Sequence, residues 1–216
     1  MEKPETIASL ASELLSQLKS NGDHSRLMLG IVGYPGAGKS TIAEALVKEI
    51  NHQNSTAISC VVPMDGYHYS NEQLDEMQLL HLKGIPDTFD SKSFVELLRK
   101  LKTNNGLVCA PLFDRGIEAS IPDAIEILQS HRVLVVEGNY LLLQREPWIK
   151  IKELLDEVWF IDTTFDIIMP RLLERHKIGG RSEEATREKI ASTDMPNAKL
   201  IDSTKEHADR LIKVSL

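Results

Sequence analysis

The sequence predicts an α/β fold, a parallel sheet flanked on both faces by helices, and two observations predict it. Runs of apolar residues recur along the chain with helical segments between them, and three of these runs are apolar throughout rather than alternating. That is the pattern of strands covered on both faces. The first run, Leu27–Val32, leads into Gly33-Tyr34-Pro35-Gly36-Ala37-Gly38-Lys39-Ser40 and then into a helical stretch. Strand, glycine-rich loop and helix in that order is the context in which this spacing cradles a phosphate.

Taken in order, Ile7, Leu10, Leu14, Leu15 and Leu18 fall at helical spacing over 5–20, and Asn21-Gly22 ends that helix. A first strand covers 26–33, and the helix after the glycine loop runs to about Glu49. Residues 57–62 read as a buried second strand closed by Pro63; later strands are expected at 133–136, 157–162 and 211–214. Helical segments fall at 70–82, 91–103, 147–155, 164–177 and 183–192. Asn104-Asn105-Gly106 reads as a loop, and Lys177–Ser182, with its two glycines, as the hinge of a lid over approximately 171–192. The resulting organisation is an N-terminal helical extension over 1–22 and a single domain over 23–216. Trp148 and Trp159 suit packing better than ligand binding.

Bulk properties narrow the function. A chain of 216 residues, 42% hydrophobic and 26% charged, suits one globular α/β domain with a small lid. A net charge of −7 with no basic block argues against general nucleic-acid or membrane-surface binding. No run approaches the ~20 apolar residues of a membrane span. Cys60 and Cys109 sit in apolar runs without metal or redox spacing, as small buried residues of a reducing compartment do. With an amphipathic rather than apolar N-terminus, the expectation is a cytoplasmic protein, and a homodimer is left open.

The chemistry is concentrated at three strand ends, where ligands bind in such sheets. In the loop, Gly33, Gly36, Ala37 and Gly38 let successive N–H groups point at an anion, and the helix opening at Lys39, Ser40 and Thr41 adds its positive end. Lys39 can reach the β- and γ-phosphates of ATP, and the Ser40 hydroxyl can ligate Mg²⁺. Asp65, just past the second strand, is placed to accept a proton from an acceptor hydroxyl. Glu137, at the end of the Val133–Val136 run, is placed to hold Mg²⁺ directly or through water. Arg171 and Arg175 share one helix face and, with Arg181 in the hinge, form a mobile positive charge of the kind phosphoryl transfer needs. Tyr67, His68, Phe89, Asp90 and Arg115, in connections between the second and third strands, could line the acceptor pocket, as could Asp87 and Asp114. No N-K-x-D guanine motif is present, which weighs against a GTP switch.

These segments resemble one family. Gly33–Ser40, Met64-Asp65-Gly66-Tyr67-His68, Pro86-Asp87-Thr88-Phe89-Asp90, Val136-Glu137-Gly138 and Arg171…Arg175 occur in the order seen in the uridine kinase, phosphoribulokinase and type I pantothenate kinase superfamily. Together with Asp194-Met195-Pro196-Asn197-Ala198 they look most like its small bacterial pantothenate-kinase-like or fructose-transport-system-kinase-like members. The resemblance covers roughly 27–214 and implies a three-layer P-loop NTPase fold with a small helical lid. It also implies an ATP- and Mg²⁺-dependent phosphotransferase with an alcohol acceptor (EC 2.7.1-type). Under it Asp65 activates the acceptor hydroxyl, Glu137 lies near the metal, Arg171, Arg175 and Arg181 belong to the lid, and Asn197 lies near the adenine. The acceptor segment is only Pro111-Leu112-Phe113-Asp114-Arg115, shorter than in uridine kinases, and the chain is shorter than pantothenate kinases. A sugar, a pantothenate-like, a nucleoside-like or another polyol-like metabolite stays open. The rival reading is an ATP-binding sensor on the same fold with no acceptor.

Overall fold

A computed structural model describes residues 5–22, 26–103, 106–178 and 182–214. The first half runs α1 (Ile7–Ser20), β1 (Leu27–Val32), α2 (Lys39–Asn54), β2 (Ser59–Pro63), α3 (Asn71–Glu76), α4 (Ser91–Thr103), β3 (Val108–Asp114) and β4 (Ala119–Ile127). The second half runs β5 (Val133–Gly138), α5 (Lys150–Leu154), β6 (Glu157–Ile161), α6 (Phe165–Ile178), α7 (Glu183–Lys189), α8 (Met195–Asp202) and β7 (Arg210–Ile212).

Five of the strands form the parallel sheet, in the order β2-β5-β1-β6-β7. β1 and β5 are buried along their whole length, which is why both read as uninterrupted apolar runs. Their register pairs Val32 with Gly138, and that of β2 with β5 pairs Pro63 with Glu137. The glycine loop, Asp65 and Glu137 therefore leave three adjacent strands at one level. Side chains from both helical layers fill the core, with Trp148, Trp159, Tyr140, Phe94 and Phe160 the largest fully buried members.

The N-terminal helix is tied to the same core. Thr6 and Ser9 form a reciprocal cap at its start, and Leu10, Ala11, Leu14 and Leu18 make its buried face. Arg210 of β7 pairs with Glu13 and Glu5, and Glu5 bridges Val214 beside it. Among the described residues no helix is long and apolar enough to cross a membrane.

Three expectations need correction. The connection that carries Asp114 and Arg115, for which no strand was expected, contains a second sheet, the antiparallel hairpin β3–β4. Pro111 and Pro122 sit inside its strands. The register shifts between Ala110 and Leu112, and Asp123 takes φ +52° at the irregularity. Prolines lack the ladder donor and are tolerated where pairing is broken, so Pro111 and Pro122 fall at the irregularity of the ladder. The helix expected at 70–82 stops after Glu76, because Gln78 turns to φ +58° and a short 3₁₀ turn follows at Leu80–Leu82. The helix expected at 183–192 does not end there; after α7 it widens into a π turn at Ile190–Asp194 and continues as α8.

Candidate active site

The glycine loop leaves β1 and turns back on itself through Gly36 at φ +80° and Gly38 at φ +89°, left-handed conformations that only glycine adopts without strain. Gly38 is the residue before α2, so the first amides of a sixteen-residue helix open onto the loop. Lys39 folds over it and donates from Nζ to the Tyr34 carbonyl at 3.1 Å. Burial lowers the Lys39 pKa to about 8, against the opposing pull of Glu137 and Asp65. Tyr34 anchors the loop from below: its ring stacks on Phe165 at 5.3 Å and its hydroxyl donates to Asp202 at 2.5 Å. Thr41 lies exposed in the first turn of α2.

Ser40 Oγ donates to Glu137 Oε1 at 3.1 Å. Glu137 is 5% exposed, and burial followed by the charge of Asp65 pushes its pKa up to about 7. One hydroxyl beside one buried carboxylate is an oxygen donor set for a hard cation that keeps waters and phosphates as its other ligands. No cluster of three or more His, Cys, Asp or Glu suited to a metal occurs among the described residues, so no all-protein cage competes with that arrangement. One side-chain atom nearby is orphaned: Asn139 Oδ1 is buried without a hydrogen-bond partner.

Asp65 sits in a 3₁₀ turn, Met64–Tyr67, that follows β2 directly. Its carbonyl accepts from the His68 amide at 3.2 Å and meets His68 Nδ1 at 2.8 Å. Its carboxylate accepts from Arg115 Nη2 at 2.9 Å. Burial raises the Asp65 pKa, but His68, Arg115, Lys39 and Arg175 outweigh it and leave the carboxyl below its ordinary value. Asp65 is thus ionised, as a proton acceptor must be. The His68 ring lies between Phe89 at 4.0 Å and Phe113 at 4.8 Å, and burial lowers its pKa. A neutral ring that donates from Nδ1 presents an acceptor lone pair on Nε2.

The residues expected to line the acceptor pocket divide into two groups. Segments 67–69 and 88–90 pair with each other, through the Tyr69 amide to Thr88 and the Asp90 amide to Tyr67, which brings Tyr67, His68, Phe89 and Asp90 together. Phe89 is only 3% exposed and packs on Tyr140 and Trp148, and Asp90 caps α4 through the Ser93 amide at 3.0 Å. Both serve as framework. Tyr67 packs its ring on Phe94; it and His68 are partly buried, and the Arg115 side chain is about half exposed.

Helix α6 lies against the loop: the Leu172 side chain would meet a Cβ on Gly36 at 3.4 Å, and Arg171 Nη1 donates to the Gly36 carbonyl at 3.3 Å. One turn on, burial among the cleft groups and the neighbouring Arg115 charge lower the Arg175 pKa, while Asp65, Asp194 and Glu137 oppose them. His176 holds the π turn through Asp194 at 2.7 Å. Arg181 lies outside the described residues. Asn197, expected near the adenine, is 4% exposed and its amide donates to the Gly84 carbonyl at 2.9 Å, which Tyr140 also reaches at 2.5 Å. It ties α8 to the connection at Gly84, and Lys189 at the end of α7 reaches the Lys83 carbonyl at 2.8 Å.

Two features of the site escaped sequence reasoning. The Arg115–Asp65 pair joins residues fifty positions apart, and no local pattern announces it. The signal for its geometry was partly visible, since Asp114-Arg115-Gly116 is turn chemistry. Asp114 Oδ1 accepts from the Gly116 amide at 2.7 Å and the Ile117 amide at 3.3 Å, building the tip that aims Arg115. The close seating of the hairpin on the Asp65 turn was the second feature. A Cβ on Gly66 would lie 2.2 Å from the Pro111 carbonyl oxygen.

The sequence profile of the Phosphoribulokinase / Uridine kinase family matches residues 28–215, and the chain belongs to that family. A candidate uridine kinase of Schizosaccharomyces pombe is 35% identical over 185 residues, covering 82% of this chain and 78% of its own length. A pantothenate kinase of Levilactobacillus brevis is 29% identical over 162 residues, covering 74% of this chain and 53% of its own. The crystal structure of a candidate fructose transport system kinase from Silicibacter superposes with a TM-score of 0.86 at 32% identity, covering 96% of this chain and 98% of that one. Family and fold together identify a P-loop kinase acting on a small metabolite.

Proposed function

We propose that this protein transfers the γ-phosphoryl group of ATP to a hydroxyl of a small metabolite. The observation that carries the reading is that the glycine loop bearing Lys39, together with Asp65 and Glu137, lies at one level where three adjacent strands end. The loop amides, Lys39 and Arg171 hold the polyphosphate. Ser40 and Glu137 would hold Mg²⁺, which would supply charge neutralisation for the polyphosphate. Asp65 takes the proton of the acceptor hydroxyl as the new O–P bond forms and the bond to the β-phosphate's bridging oxygen breaks. The products are ADP and the phosphorylated acceptor. Arg175 spreads over the charge of the transferring group.

The reading is tested by ADP release with Mg·ATP against pantothenate, nucleosides, fructose and other sugars, glycerate and ribulose 5-phosphate, beside a control without acceptor. One compound should raise the rate well above the control. Confirmed ATP binding with no rise for any compound would favour an ATP sensor. The reading places the protein with the cytoplasmic ATP pool.

A further inference from the structure

We infer that the acceptor carries a negatively charged group, a phosphate or a carboxylate, within a few bonds of the reacting hydroxyl, and that Arg115 grips it. The inference rests on the kinase reading and names the substrate class for that site.

It starts from how the cations of the cleft are matched. Arg171 lies on the loop at Gly36, and Lys39 lies within it. On the acceptor side, Arg145 meets both oxygens of Asp87 at 3.2 Å. Lys83 donates to Asn71 at 2.7 Å and to the Glu118 carbonyl at 3.1 Å, and lies over the Phe113 ring at 5.2 Å. Arg115 is matched by Asp65, the carboxylate placed to receive the proton. The contact uses one nitrogen of a guanidinium with five donors, and the side chain is 53% exposed. The remaining donors belong to a half-exposed side chain, and a planar fork of this kind suits a carboxylate or phosphate.

The placement is built rather than incidental. The Asp114 turn aims the side chain, and the Gly66–Pro111 approach seats the hairpin on the turn that carries Asp65. An arginine fixed beside a general base is a handicap for a neutral acceptor, because it stabilises the ionised carboxylate and weakens its pull on a proton. A negative group on the acceptor reverses the effect. It draws the guanidinium, frees an oxygen of Asp65 for the hydroxyl, and fixes the distance between hydroxyl and anion. His68 Nε2 and the Tyr67 hydroxyl, both neutral, are left to meet the acceptor's uncharged polar groups.

The test fills the γ-phosphate position first. The full chain, saturated with Mg·AMP-PNP, is titrated with inorganic phosphate and separately with acetate, in wild type, Arg115→Ala and Arg115→Lys, with melting temperature as the control for folding. One anion should bind, and which one binds separates a phosphate-bearing from a carboxylate-bearing acceptor. Arg115→Ala should weaken that binding on the order of tenfold to a hundredfold, the size of a lost charge-assisted contact, and Arg115→Lys by less. Binding of neither anion overturns the inference. So does equal binding in the folded alanine variant, or loss of AMP-PNP affinity with anion binding intact. Turnover with matched pairs (glycerate and glycerol, ribose 5-phosphate and ribose, pantothenate and its alcohol) gives the second reading. A higher kcat/KM for a charged member supports the inference; a preference for the neutral member overturns it and leaves the kinase reading standing. Arg115-dependent anion binding with no turnover of any pair upholds the anion site and counts against the kinase reading instead.

Discussion

On the nucleotide side of the cleft, the loop Gly33–Ser40 emerges from a strand buried along its length, and most of the bonds that shape it are local: Lys39 to Tyr34, the Ala37 amide to Tyr34, the Ile42 amide to Gly38. On the acceptor side, short segments from far apart in the chain are held together by side chains, as Arg115 to Asp65, Tyr140 and Asn197 to Gly84, and Lys189 to Lys83. A polyphosphate is the same in every substrate complex and can be met by backbone amides. The acceptor is particular, and its pocket is assembled from contacts that can change without disturbing the sheet.

The largest effect expected from this contrast is confined to one half. Lys39→Ala should lower turnover by about 10²–10³-fold, the scale of a lost group that stabilises developing charge, with circular dichroism and melting unchanged. Near-normal turnover would remove the loop from the mechanism. Gly66→Ala attacks the other half through packing alone. Its Cβ would meet the Pro111 carbonyl at 2.2 Å, and the hairpin must retreat. A loss of about 1–3 kcal/mol and a melting temperature several degrees lower are expected, with the acceptor KM raised and the ATP KM unchanged. Equal rises in both constants would show that the halves are not separable in this way.

The same contrast explains what was legible in the sequence. β1 and β5 read directly because parallel strands buried on both faces carry no polar alternation, and the loop's spacing follows from the phosphate it holds. The placement of Asp65 and Glu137 at neighbouring strand ends was legible, each following an apolar run. The hairpin was not, because Pro111, Pro122 and the turn at Asp123 imitate a loop, and only the pairing across Val108–Ile127 shows otherwise. Phe89 and Asp90 carry residue types that suit a pocket, and only their neighbours reveal a core ring and a helix cap. Asn197 is the same lesson at longer range: its partner is 113 positions away.

Smaller effects sharpen the comparison. Tyr34→Phe removes the hydroxyl bonded to Asp202 while keeping the stack on Phe165, so about 1 kcal/mol of stability and a modest rise in ATP KM are expected, with acceptor KM untouched. A change in the acceptor constant instead would mean that α8 transmits between the halves. The smallest signal is a proton. Burial brings the Lys39 pKa down to about 8 in the free protein, and a polyphosphate beside the ammonium raises it again. At a pH of about 9 the free protein has largely shed this proton and the complex holds it, so nucleotide binding takes up a fraction of a proton. Calorimetry in buffers of different ionisation enthalpy should register uptake there, and a buffer-independent enthalpy would contradict the lowered pKa of Lys39.

The central claim is that Asp65, and not another carboxylate, receives the acceptor's proton next to a separately built nucleotide site. It is tested most directly by comparing nucleotide affinity with acceptor-dependent turnover in Asp65→Asn, using the acceptor identified by ADP release. The account predicts AMP-PNP affinity close to wild type and transfer slower by about 10²–10⁴-fold, the range for a lost general base. Transfer at a rate near wild type with nucleotide binding intact would contradict it and reduce Asp65 to a turn residue.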